Sequence, residues 1–183
     1  MAADFVRGLG IPSGGRWCDV GCGTELPAME PRDAVVSGLV LNFVPDPVAA
    51  VAAMAACTRP SGTVAVYVWD YAGDMQALRF FWDAAGAGEL DEGRRFGALC
   101  SPNGLARAFT AAGLPDHDVR AIDVDTPFAD FEDFWQPFLG GQGPAPGYVA
   151  TLDDEGRAAL RQRLEAGPLP TRARAWAISA RRR

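Results

Sequence analysis

Two strand-like runs lie almost end to end near the start of this 183-residue chain, and their spacing restricts every fold that can hold both. Arg16-Trp17-Cys18-Asp19-Val20 runs into a glycine turn, Gly21-Cys22-Gly23-Thr24. Residues 25–32 alone separate that turn from the next run, Asp33-Ala34-Val35-Val36-Ser37-Gly38-Leu39-Val40-Leu41-Asn42-Phe43. The second run is a continuous apolar stretch, the pattern of a strand buried on both faces. Pro27 and Pro31 exclude a regular helix from the link. A parallel crossover normally takes a dozen or more residues and a helix. Here roughly twelve residues of extended chain, at ~3.3 Å each, can just return along a short strand.

Downstream the pattern alternates between strand and helix. Asp46-Pro47 is a helix start, with an N-cap acceptor followed by proline at the first helical position. Val48, Val51, Ala52 and Ala55 then form one apolar stripe. Pro60-Ser61-Gly62 reads as a turn into a buried strand over 63–69, rich in β-branched and aromatic residues. A helix from Met75 carries Leu78, Phe81, Trp82 and Ala85. Another starts at Ser101-Pro102 and ends at Gly113, and a weaker strand covers 119–124. Residues 127–149 hold Phe128, Phe131, Phe134, Trp135, Phe138 and Tyr148, with a Gly/Pro-rich stretch from Gly140 to Gly147. Thr151 and Asp154 stand in capping-box spacing before a polar helix to about Ala166. Alternation over 173–180 reads as a final strand. The expected fold is α/β: a Rossmann-like, mostly parallel sheet reduced to about five strands, with an aromatic and Gly/Pro-rich insert before the last. One domain spans 1–183, with a core over 16–126, a lid-like insert and helix over 127–170, and the final strand over 171–180.

Composition narrows the function classes. About half the residues are apolar, so the chain can bury a proper core. A formal charge of −6 argues against binding a phosphate backbone. No apolar stretch approaches the ~20 residues of a membrane span, and no basic-then-apolar leader is visible, so a cytoplasmic location is expected. The four cysteines, Cys18, Cys22, Cys57 and Cys100, form no Cys-x-x-Cys pair, and His117 is the only histidine. No metal site is expected, and free thiols are the simplest reading.

A strand ending in Asp-x-Gly-x-Gly presents backbone N–H groups where side chains would block a ligand. Alone, that turn is weak evidence. In context, Asp19-Val20-Gly21-Cys22-Gly23-Thr24 resembles the first motif of class I S-adenosylmethionine (SAM) dependent methyltransferases. Arg32-Asp33-Ala34-Val35-Val36-Ser37 resembles the family's fourth-strand motif, and Leu41-Asn42-Phe43-Val44-Pro45-Asp46-Pro47 the segment after it. Pro60-Ser61-Gly62-Thr63-Val64 and Ala111-Ala112-Gly113-Leu114 match the turns into its fifth and sixth strands. The likeness covers nearly the whole chain and is nearest the small-molecule branch that includes ubiquinone and menaquinone biosynthesis enzymes.

That resemblance implies SAM as cofactor and methyl transfer to a small organic acceptor by in-line attack, driven mostly by alignment. It places Asp19, Gly21, Cys22, Gly23 and Thr24 at the methionine end of SAM, and Ser37, Gly38 and Leu39 beside the reacting methyl group. Asp70 and Tyr71, closing the fifth strand, are the candidates for orienting or deprotonating an acceptor; strand-end packing explains them equally well. Two departures stand out. Glu25 occupies a position where the family has glycine, and the family's second and third strands, which hold ribose and adenine, have no counterpart here. Helices lost with them would leave Val20 and Val35 on an uncovered sheet face, a surface for homo-oligomers. The alternative reading is a non-catalytic remnant acting as a binding or dimerising module. A nicotinamide dehydrogenase would need a third glycine where Leu26 stands. The aromatic insert is either packing or a cover over an apolar acceptor.

Overall fold

The computed structural model describes residues 1–11, 13–21, 30–140 and 142–183. In chain order the elements are α1 (Ala2–Gly8), β1 (Trp17–Asp19), β2 (Arg32–Gly38), a 3-10 turn (Leu41–Phe43), α2 (Pro47–Ala56), β3 (Thr58–Trp69), α3 (Gln76–Ala85) and α4 (Glu92–Phe96). Then follow α5 (Pro102–Ala111), β4 (His117–Asp125), α6 (Phe131–Trp135), a 3-10 turn (Gln136–Leu139), α7 (Pro144–Thr151), α8 (Asp154–Glu165) and β5 (Arg172–Arg181). The five strands form one sheet in the order β1-β2-β3-β5-β4. β1 pairs with β2, and β2 with β3, in parallel; β3 and β5 run antiparallel. The short link after the glycine turn thus joins two neighbouring parallel strands.

Contacts divide the chain into two compact units. Unit 1 comprises Met1–Trp69, Leu99–Ile122 and Ala175–Arg183, and unit 2 comprises Asp70–Ala98 and Asp123–Arg174. In unit 1, helix starts are written locally. The Asp46 carboxylate accepts from the Ala49 amide at 2.9 Å with Pro47 beside it, and Ser101 Oγ accepts from the Gly104 amide at 3.1 Å ahead of Pro102. Each cap satisfies an N–H that the helix leaves unpaired. Buried Val51 and Met54 from α2, and Leu105 and Phe109 from α5, belong to this unit's core with Val35, Val64 and Val66 of the sheet.

Val35 does not lie on an uncovered sheet face as expected. Val35 is 0% exposed and Ala34 and Val36 are buried, while Val20 is half-buried. An oligomer surface built on Val35 is therefore ruled out by the fold of unit 1 itself. The turn expected at Pro60-Ser61-Gly62 is instead taken into β3. Ser61 adopts φ +62°, its amide donates to the Arg182 carbonyl at 2.7 Å, and the β2–β3 register shifts between Arg32 and Ala34. Pairing to the end of β5 holds this stretch in the strand despite its turn-like residues.

Unit 2 has its own core, in which Phe81 and Trp82 of α3 meet Phe134, Trp135 and Phe138, with Val149, Leu160 and Leu164 completing it. Phe81 stacks on Phe138 at 4.5 Å between ring centres. The Gly/Pro-rich stretch becomes helical from Pro144, because proline is well suited to a first helical turn. Thr151 ends α7, and its hydroxyl donates to the Tyr148 carbonyl. The cap of α8 is Asp153, which accepts from the Gly156 amide at 2.8 Å, in place of the expected Thr151. Among the described residues no helix is long and apolar enough to cross a membrane, and no three His, Cys, Asp or Glu side chains gather where a metal ion could sit. Cys57 is a free thiol.

Candidate functional site

The carboxyl ends of β1 and β2 lie side by side, in register at Asp19 and Val36. The Val20 amide donates to the Val36 carbonyl at 2.8 Å, and Ser37 Oγ donates to the Val20 carbonyl at 2.7 Å. Parallel pairing therefore brings Asp19 and Gly21 beside Ser37, Gly38 and Leu39, which the sequence had separated. Asp19 and Gly21 are exposed, whereas Ser37 is buried and its hydroxyl is already engaged in joining the two strands. Leu39 sits at φ +61°, a conformation that costs a non-glycine residue ~1 kcal/mol or more. Its amide is held by the Tyr67 carbonyl at 2.8 Å. Cys22, Gly23, Thr24 and Glu25 lie outside the described residues.

Two glycines here have packing reasons for their identity. A Cβ on Gly21 would stand 2.7 Å from Val40 Cγ2, and one on Gly38 would stand 2.6 Å from the Tyr67 ring and its hydroxyl. Both distances are below any real contact. Tyr67 in turn packs on Phe5 of α1 at 4.6 Å. Burial pushes its phenol up from the ordinary tyrosine range, and the nearby Asp19 carboxylate adds to the rise. Tyr67 thus belongs to this end of the sheet, although in the sequence it is one aromatic among strand-forming neighbours.

Asn42 is a second residue that the sequence did not single out. It lies in the turn after β2, only 7% exposed, and neither Nδ2 nor Oδ1 has a hydrogen-bond partner among the described residues. Leaving such a group unpaired costs ~1–3 kcal/mol, so an unpartnered buried amide marks a place where a polar ligand group would be stabilising. A polar residue within an apolar run was the signal for it.

An exposed carboxylate at Asp19 and the open backbone at Gly21 fit the polar methionine end of SAM. The nucleoside end finds no such fit among the described residues. Glu30, the acidic residue described in the link, pairs with Arg16 at 2.9 Å. Asp33 accepts from the Arg16 amide at 2.8 Å and pairs with Arg59, and these contacts hold its carboxyl below the usual range.

Asp70 and Tyr71 belong to unit 2. Asp70 Oδ2 accepts from the Asp74 amide at 3.0 Å and the Asp70 carbonyl accepts from Gly73 and Met75, so this residue organises a tight turn. Tyr71 is buried with its ring 5.6 Å from Phe96. His117 opens β4 in unit 1, with Nδ1 3.1 Å from the Leu114 carbonyl.

No protein-family model and no curated protein matches the sequence. Solved structures do match the fold. A protein described as a methyltransferase from Bacillus halodurans aligns at 10% identity with TM-score 0.56, covering 100% of this chain and 98% of that one. The YcgJ protein of Bacillus subtilis aligns at 15% identity with TM-score 0.51, over 87% of this chain and 68% of its own. With the motif strands adjacent and parallel in an open α/β sheet, this chain has the class I SAM-dependent methyltransferase fold.

Proposed function

We propose that this protein is a SAM-dependent methyltransferase for a small organic acceptor, with a weakened grip on the nucleoside half of its cofactor. The observation that carries this reading is the parallel register of β1 and β2. It sets the Asp19–Gly21 turn beside Ser37-Gly38-Leu39, and the unpartnered Asn42 amide lies four residues after Gly38 on the same chain. When bound, SAM would supply an electrophilic methyl group. The residues of this chain would contribute alignment: Asp19 holding the ammonium, the exposed Gly21 backbone the carboxylate, and Asn42 a remaining polar group. Thr24, Gly23 and Cys22 are proposed on the cofactor side. A cytoplasmic location goes with a cofactor of that compartment.

Losing one charge-assisted hydrogen bond to ribose costs ~1.5–3 kcal/mol, which is ~10- to 150-fold in affinity. Calorimetric titration with SAM tests the reading. Saturable binding at micromolar to sub-millimolar concentration supports it, and no binding at several millimolar ends it. In that event the second reading applies, a non-catalytic remnant. The engaged Ser37 hydroxyl and the packing roles of Gly21 and Gly38 favour it, because each explains a motif residue without a ligand.

A further inference from the structure

Unit 2 contains a cavity of about 350 Å³ that the reading above does not use. Its walls come from α3, from the aromatic segment and from the start of α7, and include Leu78, Phe128, Phe134 and Phe138. That volume lies at the lower end of the range of small-molecule sites, and the mix of apolar walls with few polar groups is typical of them. One charged side chain lines it, Glu92, which is 4% exposed.

Glu92 occupies the first turn of α4, and its Oε2 accepts from the indole Nε1–H of Trp82. It has no cationic partner among the described residues. Arg79, whose charge acts on Glu92, is committed to the neighbouring Asp91, with Nη1 at 2.9 Å from Oδ2 and Nη2 on Oδ1. Burial pushes the Glu92 carboxyl up from the usual range. Its own backbone N–H, Trp82 and Arg79 oppose that rise, while Asp91 adds to it. A buried carboxylate is ordinarily matched by a cation, and among the described residues none forms an ion pair with Glu92. The surrounding rings offer the complementary half of a cation site, since the faces of Phe rings are electronegative.

We propose that this cavity is a binding site for a small apolar amine in its cationic form, with the ammonium group at Glu92 and the hydrocarbon part against Leu78, Phe128, Phe134 and Phe138. The aromatic walls accept the hydrocarbon without regard to charge, and Glu92 selects the cation over a neutral or anionic analogue of the same shape. The site belongs to unit 2 alone and its test contains no SAM, so its failure and that of the cofactor reading are scored separately.

The test uses fluorine NMR on the whole chain with three probes of matched shape: 4-fluorophenethylamine, 2-(4-fluorophenyl)ethanol and 3-(4-fluorophenyl)propanoate. Saturable binding of the amine below 1 mM is expected, with the alcohol at least tenfold weaker and the propanoate weaker still. Glu92→Gln should bring the amine down to the level of the alcohol, and Leu78→Trp, which fills the cavity, should abolish binding of both. Equal affinity for amine and alcohol in the unaltered protein overturns the proposal and requires no variant to fold. So does undiminished amine binding by folded Leu78→Trp, or no saturation of the amine at 10 mM.

Discussion

Replacing Gly38 by alanine separates a glycine kept for packing from one kept for a ligand. The added Cβ would lie 2.6 Å from Tyr67 Cε1 and the phenolic oxygen and 2.7 Å from Cζ, about 1 Å inside ordinary carbon contact. Tyr67 cannot swing freely, because its ring is packed on Phe5 at 4.6 Å. Overpacking of this kind costs ~1–3 kcal/mol. Gly38 has no left-handed φ, so alanine also removes unfolded-state entropy worth ~0.4–1 kcal/mol in the opposite direction. The net expectation is a loss of ~1–2 kcal/mol, or a fall in Tm of roughly 2–8 °C for a chain of this length. Urea unfolding of four proteins measures it: the starting protein, Gly38→Ala, Tyr67→Ala and the double variant. In the Tyr67→Ala background the alanine should cost nothing or stabilise slightly, giving a coupling of ~1–2 kcal/mol between positions in contact. An equal cost of Gly38→Ala in both backgrounds refutes the steric argument. A variant of undiminished stability that loses SAM binding would assign Gly38 to the ligand instead.

Asn42→Leu removes a buried amide that has no partner, so it should raise stability by ~1 kcal/mol in urea unfolding while weakening SAM binding in calorimetry; a destabilised variant with unchanged affinity contradicts this. Ser37→Ala strands the Val20 carbonyl and should cost ~1–2 kcal/mol, read as a lower urea midpoint at constant slope. Phe81→Ala empties a fully buried ring site stacked on Phe138 and should cost ~3–5 kcal/mol in thermal or chemical unfolding. Asp33 and Asp123 bind protons more weakly in the fold than in the unfolded chain, Asp33 through the Arg16 amide and Arg59, and Asp123 through Arg174. Their contributions are therefore present above the unfolded value of ~3.9 and are lost as pH falls through the lower folded values. Asp33→Asn and Asp123→Asn should flatten the urea midpoint's dependence on pH between about 5 and 2, and an unchanged slope would count against both pairings.

What the sequence made legible follows the range of the interactions involved. Helix starts at Asp46-Pro47 and Ser101-Pro102 depend on atoms within three residues of the cap, and both lie where the pattern places them. The pairing of β1 with β2 was constrained by a link too short to hold a helix. Failures occur where a distant segment decides. Pro60-Ser61-Gly62 reads as a turn, yet the Ser61 amide is taken by Arg182, far along the chain, and the stretch stays within β3 as an irregularity with Ser61 at φ +62°. Burial of Val35 depends on the assembled core of unit 1, which no local pattern records. At the candidate site, the motif residues were visible because glycine and aspartate are scarce in strands. Tyr67 and Asn42 were not, because what distinguishes them is proximity to Asp19 and Gly38 in one case and an unmet hydrogen bond in the other. Glu92 was equally hidden, since nothing beside it in sequence indicates that it is buried against the indole N–H of Trp82.

The sheet order has a kinetic corollary. β4 stands at the edge with β5 as its only neighbour among the described strands, and β5 follows it only after residues 126–171, all of them in unit 2. β1, β2 and β3 can pair as soon as residue 69 is available. β4 has no strand to join until the chain has passed through the aromatic segment and come back. Closing so long a loop before any pairing is gained slows assembly, and in the interval both β3 and β4 present open strand edges. Conditions that delay folding of the aromatic segment should therefore expose those edges longest, which makes the stretch between β4 and β5 the controlling step for recovery of the sheet from denaturant.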